Sequence, residues 1–193
     1  MAEPLKDIYS KDFLQSFLAS WQKVNPQVNA DVFLASVMDS PWDQLELKER
    51  ISRIFEKLSL FLPTDFAEAP NQLGLLSEQL IADGNEKDNF EFTFIPEYVE
   101  KNGLEHLEVS LDAMERITPF STCEFAIRPF ITNHPKVSMQ RLQQWSKHEN
   151  ASVRRLASEG CRPRLPWGMA LKDCTADPSP ILPILTQLKD DPS

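Results

Sequence analysis

The chain has 193 residues, 41% hydrophobic and 25% charged, which is a globular composition with room for one core or one stack of repeats. Its formal net charge of −9 argues against nucleic-acid binding by the surface as a whole. Five glycines against fifteen prolines suit helices cut short by prolines better than a sheet built on glycine-rich hairpins.

The opening "MAEPLKDIYS" has no basic head followed by an apolar run, so no signal peptide is expected. No uninterrupted apolar stretch approaches the ~20 residues that span a bilayer. A cytoplasmic protein with no membrane partner is the expectation. The apolar residues Phe13, Leu14, Phe17, Leu18 and Trp21 recur at helical spacing, and Asn25-Pro26 ends that helix. Asp31 to Met38 predicts a short helix with Val32, Phe33 and Val37 inward. A longer helix is predicted from Trp42 to about Leu60, burying Leu45, Ile51, Ile54, Phe55 and Leu58 and closed by Pro63.

Pro70 and Asn71 open a further helix through Leu73, Leu76, Leu80 and Ile81. The run "DGNEKDN" (83–89) reads as a polar loop. "FTFIPEYVEKNG" reads as a short extended segment turning into a helix that stops at Gly103, and helical spacing returns from Leu104 to about Ile117. No run of alternating strands is present, so the fold class is all-α.

The second half repeats itself. "CEFAIRPF" (123–130) leads to "NHPKVSMQRLQQWSKHENAS", and "SEGCRPRLPW" (158–167) leads to "ADPSPILPILTQLKDDPS". Helix pairs at this spacing resemble HEAT-type repeats, which stack because no single pair buries its own apolar face. This predicts an α-α superhelix, with residues 1–117 as an N-terminal helical region and 118–193 as the repeats. The second unit is longer, and its extra residues fall in "RPRLPWGMALKDCTA". Insertions in solenoids map to loops on one face, often the binding face, which moves Trp167 off the regular core; a plain core tryptophan is the alternative. No polar cap follows "LKDDPS", so the chain is expected to be the amino-terminal part of a longer protein.

Charge is unevenly distributed. Lys136 to Lys172 hold eight basic residues against Glu149 and Glu159, a net of +6, so the other 156 residues carry −15. The segment "VRRLASEGCRPRLPWG" (153–168) gathers Arg154, Arg155, Arg162 and Arg164 around one glutamate and one tryptophan. Such a stripe is either a phosphate-binding face or a solvated helix face. Glu124 and Glu159 occupy equivalent places in successive repeats, each with an arginine one turn on, Arg128 and Arg162. They are either local ion pairs or two carboxylates lining one surface, where they could stabilise a developing cation and hold a water. Cys123, Cys161 and Cys174 form no C-x-x-C pair and are expected as reduced thiols. His106, His134 and His148 have no paired spacing, so neither metal nor cofactor is expected.

"MAEPLKDIYSKDF", "SPWDQLELKER" (40–50), "STCEFAIRPF" (121–130) and above all "VRRLASEGCRPRLPWGMAL" (153–171) resemble the AlkC-type DNA alkylation repair enzymes, of the AlkC/AlkD superfamily of HEAT-like-repeat DNA glycosylases. The resemblance runs over essentially the whole chain. It implies removal of cationic N-alkylated bases, 3-methyladenine and 3-methylcytosine, from double-stranded DNA in base excision repair, without metal, cofactor or obligate protein partner. It also implies catalytic roles for Glu124 and Glu159, a lesion-proximal place for Trp167, and DNA-backbone contacts for Arg154, Arg155, Arg162 and Arg164. The family's next carboxylate, an aspartate in the following repeat, falls beyond Ser193. A non-catalytic HEAT-like module that binds DNA or protein is the alternative.

Overall fold

The computed structural model describes residues 4–86 and 90–193, and these contain α-helices and short 3-10 turns but no strand. Residues 87–89, the end of the polar run, lie outside the described residues. Helix α1 (Lys11–Val24) starts at Ser10, whose Oγ accepts the Phe13 N–H at 3.1 Å. Its stripe carries Leu14, Phe17, Leu18 and Trp21 into the core. Helix α2 (Ala30–Met38) is capped by Asn29 in the same way. Phe33 and Val37 turn inward as expected, but Val32 is 53% exposed. The helix is apolar almost all round, so its spacing could not select one face.

The helix expected from Trp42 to Leu60 is two pieces, a 3-10 turn at Trp42–Gln44 and α3 (Leu47–Phe61). Glu46 sets the break: it forms a capping box with Glu49, whose Oε2 accepts the Glu46 N–H at 2.7 Å. Ile54 and Leu58 are buried, while Leu45, Ile51 and Phe55 pack at the edge of the core. Helix α4 (Glu68–Ala82) keeps Pro70 in its first turn. The extended segment expected after residue 90 is instead a 3-10 turn, Phe90–Phe92, running into α5 (Phe94–Asn102). Pro96 stands in the first turn of α5, where a missing N–H breaks no helical hydrogen bond. Helix α6 (Leu107–Ile117) follows the turn at Gly103.

These helices pack sequentially and across: α1 on α2 and α4, α4 on α6, α3 on α5. Aromatic rings fill the joints edge-on, Trp21 against Phe33 at 5.5 Å and Phe17 against Phe94 at 5.2 Å. Asp83, at the end of α4, accepts from Ser20 Oγ and Lys23 Nζ of α1, each at 2.6 Å.

The second half continues the same core through α7 (Ile127–Asn133), α8 (Pro135–Trp145), α9 (Ala151–Gly160), α10 (Lys172–Ala176) and α11 (Leu182–Leu188). Helix α8 packs against both α7 and α9, and α11 returns onto α9. Arg141 of α8 ties back to α6 through Glu108 and Asp112, at 2.7 and 2.5 Å. At Gly160 a Cβ would lie 2.8 Å from Ile127 Cγ2, so the close approach of α9 to α7 needs glycine there. Between α9 and α10 runs the 161–171 segment, which carries Trp167.

Candidate functional site

Helix α9 begins at Asn150, whose side chain accepts the Ser152 N–H at 2.9 Å. That start puts Arg155 and Glu159, four residues apart, on one face. Glu124 reaches the same face from the turn before α7: its Oε1 is 2.5 Å from Arg155 Nη1. Glu159 Oε2 is 3.0 Å from Arg162 Nη1. Carboxylates and guanidiniums therefore alternate, Glu124–Arg155 and Glu159–Arg162. The Glu124 side chain is only 8% exposed, whereas that of Arg155 is 54% exposed. The pair has a dry end and a wet end.

The sequence expectation paired Glu124 with Arg128 and set the two glutamates at equivalent places. The structure corrects both points. Glu124 lies in a turn and Glu159 in the last turn of a helix. Arg128 is fully buried and donates to three backbone carbonyls: Met169 through Nε, Gly160 through Nη1 at 3.0 Å and Pro163 through Nη2 at 3.3 Å. All three belong to the end of α9 or the segment after it, so this one side chain anchors both ends of the loop that presents Trp167. The last carbonyls of a helix are a favourable place for a cation. Burial lowers the guanidinium pKa from its usual value.

Trp167 is 78% exposed, so it is not a core residue. Its φ of 65° lies in the left-handed region, where a bulky side chain is uncommon. Phe90 meets its ring edge-on at 6.5 Å, and Lys48 Nζ lies 5.9 Å from the ring centroid. Neither neighbour was legible in the sequence, since both come from distant elements. Trp167, Lys48 and Phe90 line a cleft of about 280 Å³ together with Thr122, Phe125 and Ala126, on either side of Glu124 in the sequence.

The arginines divide. Arg155, Arg162 and Arg164 are exposed. Arg154, expected on the same basic surface, spends its guanidinium on Asp191, at 2.6 and 3.0 Å, and on the carbonyls of His148 and Glu149. Those contacts fasten α9 to the chain after α11. Of the eight cations in the basic segment, Arg141, Arg154, Arg155 and Arg162 are ion-paired within the chain. Lys136, Lys147, Arg164 and Lys172 are exposed and have no ion-pair partner among the described residues. No group of three histidine, cysteine or acidic side chains among the described residues could hold a metal.

Helices stacked in sequence, with a row of alternating arginines and carboxylates and an exposed tryptophan on the loop between α9 and α10, define an α-helical repeat protein of the superhelical class. No family model matches the chain. It is 39% identical over 189 residues to the uncharacterized protein YhaZ of Bacillus subtilis (strain 168), a match covering 98% of this chain and 51% of that protein. Among solved structures it is similar to the Pseudomonas fluorescens alkylpurine DNA glycosylase AlkC bound to DNA containing an abasic-site analog. The TM-score is 0.84 at 32% identity, over all of this chain and 52% of that one. The chain has the AlkC-type helical-repeat fold. It spans about half the length of both relatives.

Proposed function

We propose that the protein acts in DNA alkylation repair as a glycosylase, hydrolysing the N-glycosidic bond of cationic N-alkylated bases such as 3-methyladenine and 3-methylcytosine. The observation that carries this reading is the Glu124–Arg155 pair, an almost buried carboxylate held at 2.5 Å by an arginine that is half open to solvent. The likeness to a DNA-bound AlkC supports it.

A phosphate arriving at the exposed face competes for Arg155 and Arg162, the guanidiniums that hold Glu124 and Glu159. Each arginine that turns to a phosphate loosens its hold on its carboxylate, which then faces the sugar. When the C1′–N bond breaks, the electron pair leaves with the base and cancels its positive charge, so no acid is needed at the leaving group. Positive charge then develops on the deoxyribose, where a carboxylate in a dry setting stabilises it by several kcal/mol in favourable cases. Water attacks C1′ and gives its proton to a carboxylate, the usual division of labour in glycoside hydrolysis. In this reading Glu124 and Glu159 are the catalytic pair, and Trp167 stands beside the lesion. Arg155, Arg162 and Arg164 hold the backbone, with Arg154 joining them only by releasing Asp191.

Replacing Glu159 with glutamine tests the assignment. Release of methylated bases should fall by at least about a hundredfold, the scale of losing one electrostatic stabiliser, while duplex affinity stays within about twofold. Full activity in that variant overturns the role given to Glu159. One observation favours a second reading, a non-catalytic module that binds DNA or protein: half of the basic segment's charge is already neutralised within the chain. A protein scaffold of that kind shows no salt-dependent DNA affinity.

A further inference from the structure

A second cavity, of about 950 Å³, takes no part in the reading above. It is a groove between α7 and α8 on one bank and residues 169–171 with α10 on the other. Lys136, Met139, Gln140 and Gln143 line it from α8, and their spacing of three and four residues puts them on one helix face. The buried Ile131, Leu171 and Cys174 line it as well, and Met169 is 45% exposed within it. A contiguous apolar surface left open to water marks a place that a partner covers, and methionines let it fit side chains of different shape. The two banks differ in charge. Helix α8 has no acidic residue and its Arg141 is paired to α6, so Lys136 sets that bank at +1. The α10 bank sets one lysine, Lys172, against two aspartates, Asp173 and Asp177, a net of −1. Asp177 accepts the Ser179 N–H and hydroxyl, each at 2.9 Å, which hold its carboxyl below the ordinary range and keep it ionised.

We infer that this groove docks an amphipathic α-helix of another protein, its apolar stripe against Met139, Met169 and Leu171, with an acidic flank along α8 and a basic flank along α10. From Lys136 to Gln143 the α8 face rises ~10 Å, so about two turns of the partner are engaged, and apolar side chains at its i, i+3 or i+4, and i+7 positions enter the groove. The opposed flanks fix the direction in which the partner runs. A DNA backbone is a poorer match, because phosphates call for cations on both banks and gain little from an apolar lining. Docking here needs neither DNA nor base release, so it stands apart from the glycosylase reading.

The test is fluorescence anisotropy with three labelled peptides that share one apolar stripe and differ in their flanks: one acidic and one basic, both acidic, or both basic. Each is hydrocarbon-stapled, because isolated helices shorter than ~12–15 residues are marginal in water. The mixed-flank peptide should bind about tenfold more tightly than either of the others. Lys136→Glu makes both banks acidic, so the peptide with two basic flanks should then become the tightest of the three. That side chain is exposed and in the first turn of α8, where a carboxylate is favourable, and thermal unfolding checks that the variant is folded. No binding of any peptide at millimolar concentration, equal binding of all three, or an unchanged order in the variant overturns the inference. So does displacement of the mixed-flank peptide by undamaged duplex, which would give the groove to DNA, or its exclusion by self-association of the protein.

Discussion

Arg155 joins a nearly dry carboxylate to a solvent-exposed surface, and its replacement separates the two roles assigned to it. Arg155→Ala should lower duplex affinity and slow base release together, because it removes a phosphate contact and unsettles Glu124. Arg162→Ala should mainly lower affinity, since Glu159 is 32% exposed and water can solvate it when the pair is broken. Equilibrium binding alongside single-turnover release distinguishes the two patterns. Identical profiles for both variants would contradict the assigned difference in burial. The thiols give an independent check on the core. Burial pushes Cys161 up to about 12 and raises Cys123 and Cys174 as well. The thiolate is the reactive form, so a raised pKa means less of it at pH 8. The native protein should react with an aromatic disulfide at least about a hundredfold more slowly than the urea-unfolded chain. Rapid labelling of the native form would show that these sulfurs are not buried as described.

At the scale of elements, the 161–171 loop depends on Arg128. Methionine at that position fills similar space but donates to none of the three carbonyls. The cost should be about 3 kcal/mol or more, from buried acceptors left without donors, read as a lower urea midpoint at unchanged slope. Base release should fall beyond what the lost stability explains, because the loop that presents Trp167 loses its anchor. A variant of wild-type stability would contradict the anchoring role. This element also marks the limit of what the sequence discloses. The stripe of α1 and the end of α5 at Gly103 are written in local spacing and terminators, so they are legible. The break before α3 had a local signal too, the Glu46–Glu49 box, hidden beside a long apolar pattern. For α2 the apolar pattern ran all round the helix and named no face, which put Val32 on the wrong side. Glu124, Glu159 and Trp167 could be singled out from the sequence because of the string they sit in. Arg162, one turn after Glu159, was legible in the same way and does pair with it, but the partners that come from other elements were not. Arg155 beside Glu124, Arg128 beneath the loop and Lys48 over Trp167 are products of packing between elements 31 to 119 residues apart.

Across the whole molecule the charge is −9, yet the cations on and around α9 stand where an aromatic side chain is exposed. An acidic body with a short basic face repels the duplex except at that face, which favours one docking orientation. Duplex affinity should fall steeply with added salt, and replacing Arg164, which is exposed and has no ion-pair partner among the described residues, should flatten the slope by about one unit. Arg154→Ala should flatten it less and lower the thermal midpoint instead, because that guanidinium fastens α9 to Asp191. The proposed function requires this face to break glycosidic bonds rather than only hold DNA. Release of methylated bases from dimethyl-sulfate-treated duplex DNA tests it most directly, comparing the protein with its Glu159→Gln variant under single-turnover conditions. 3-Methyladenine should appear with the unaltered protein and not with the variant, although both retain the DNA. Duplex bound by both with no base released by either would contradict it.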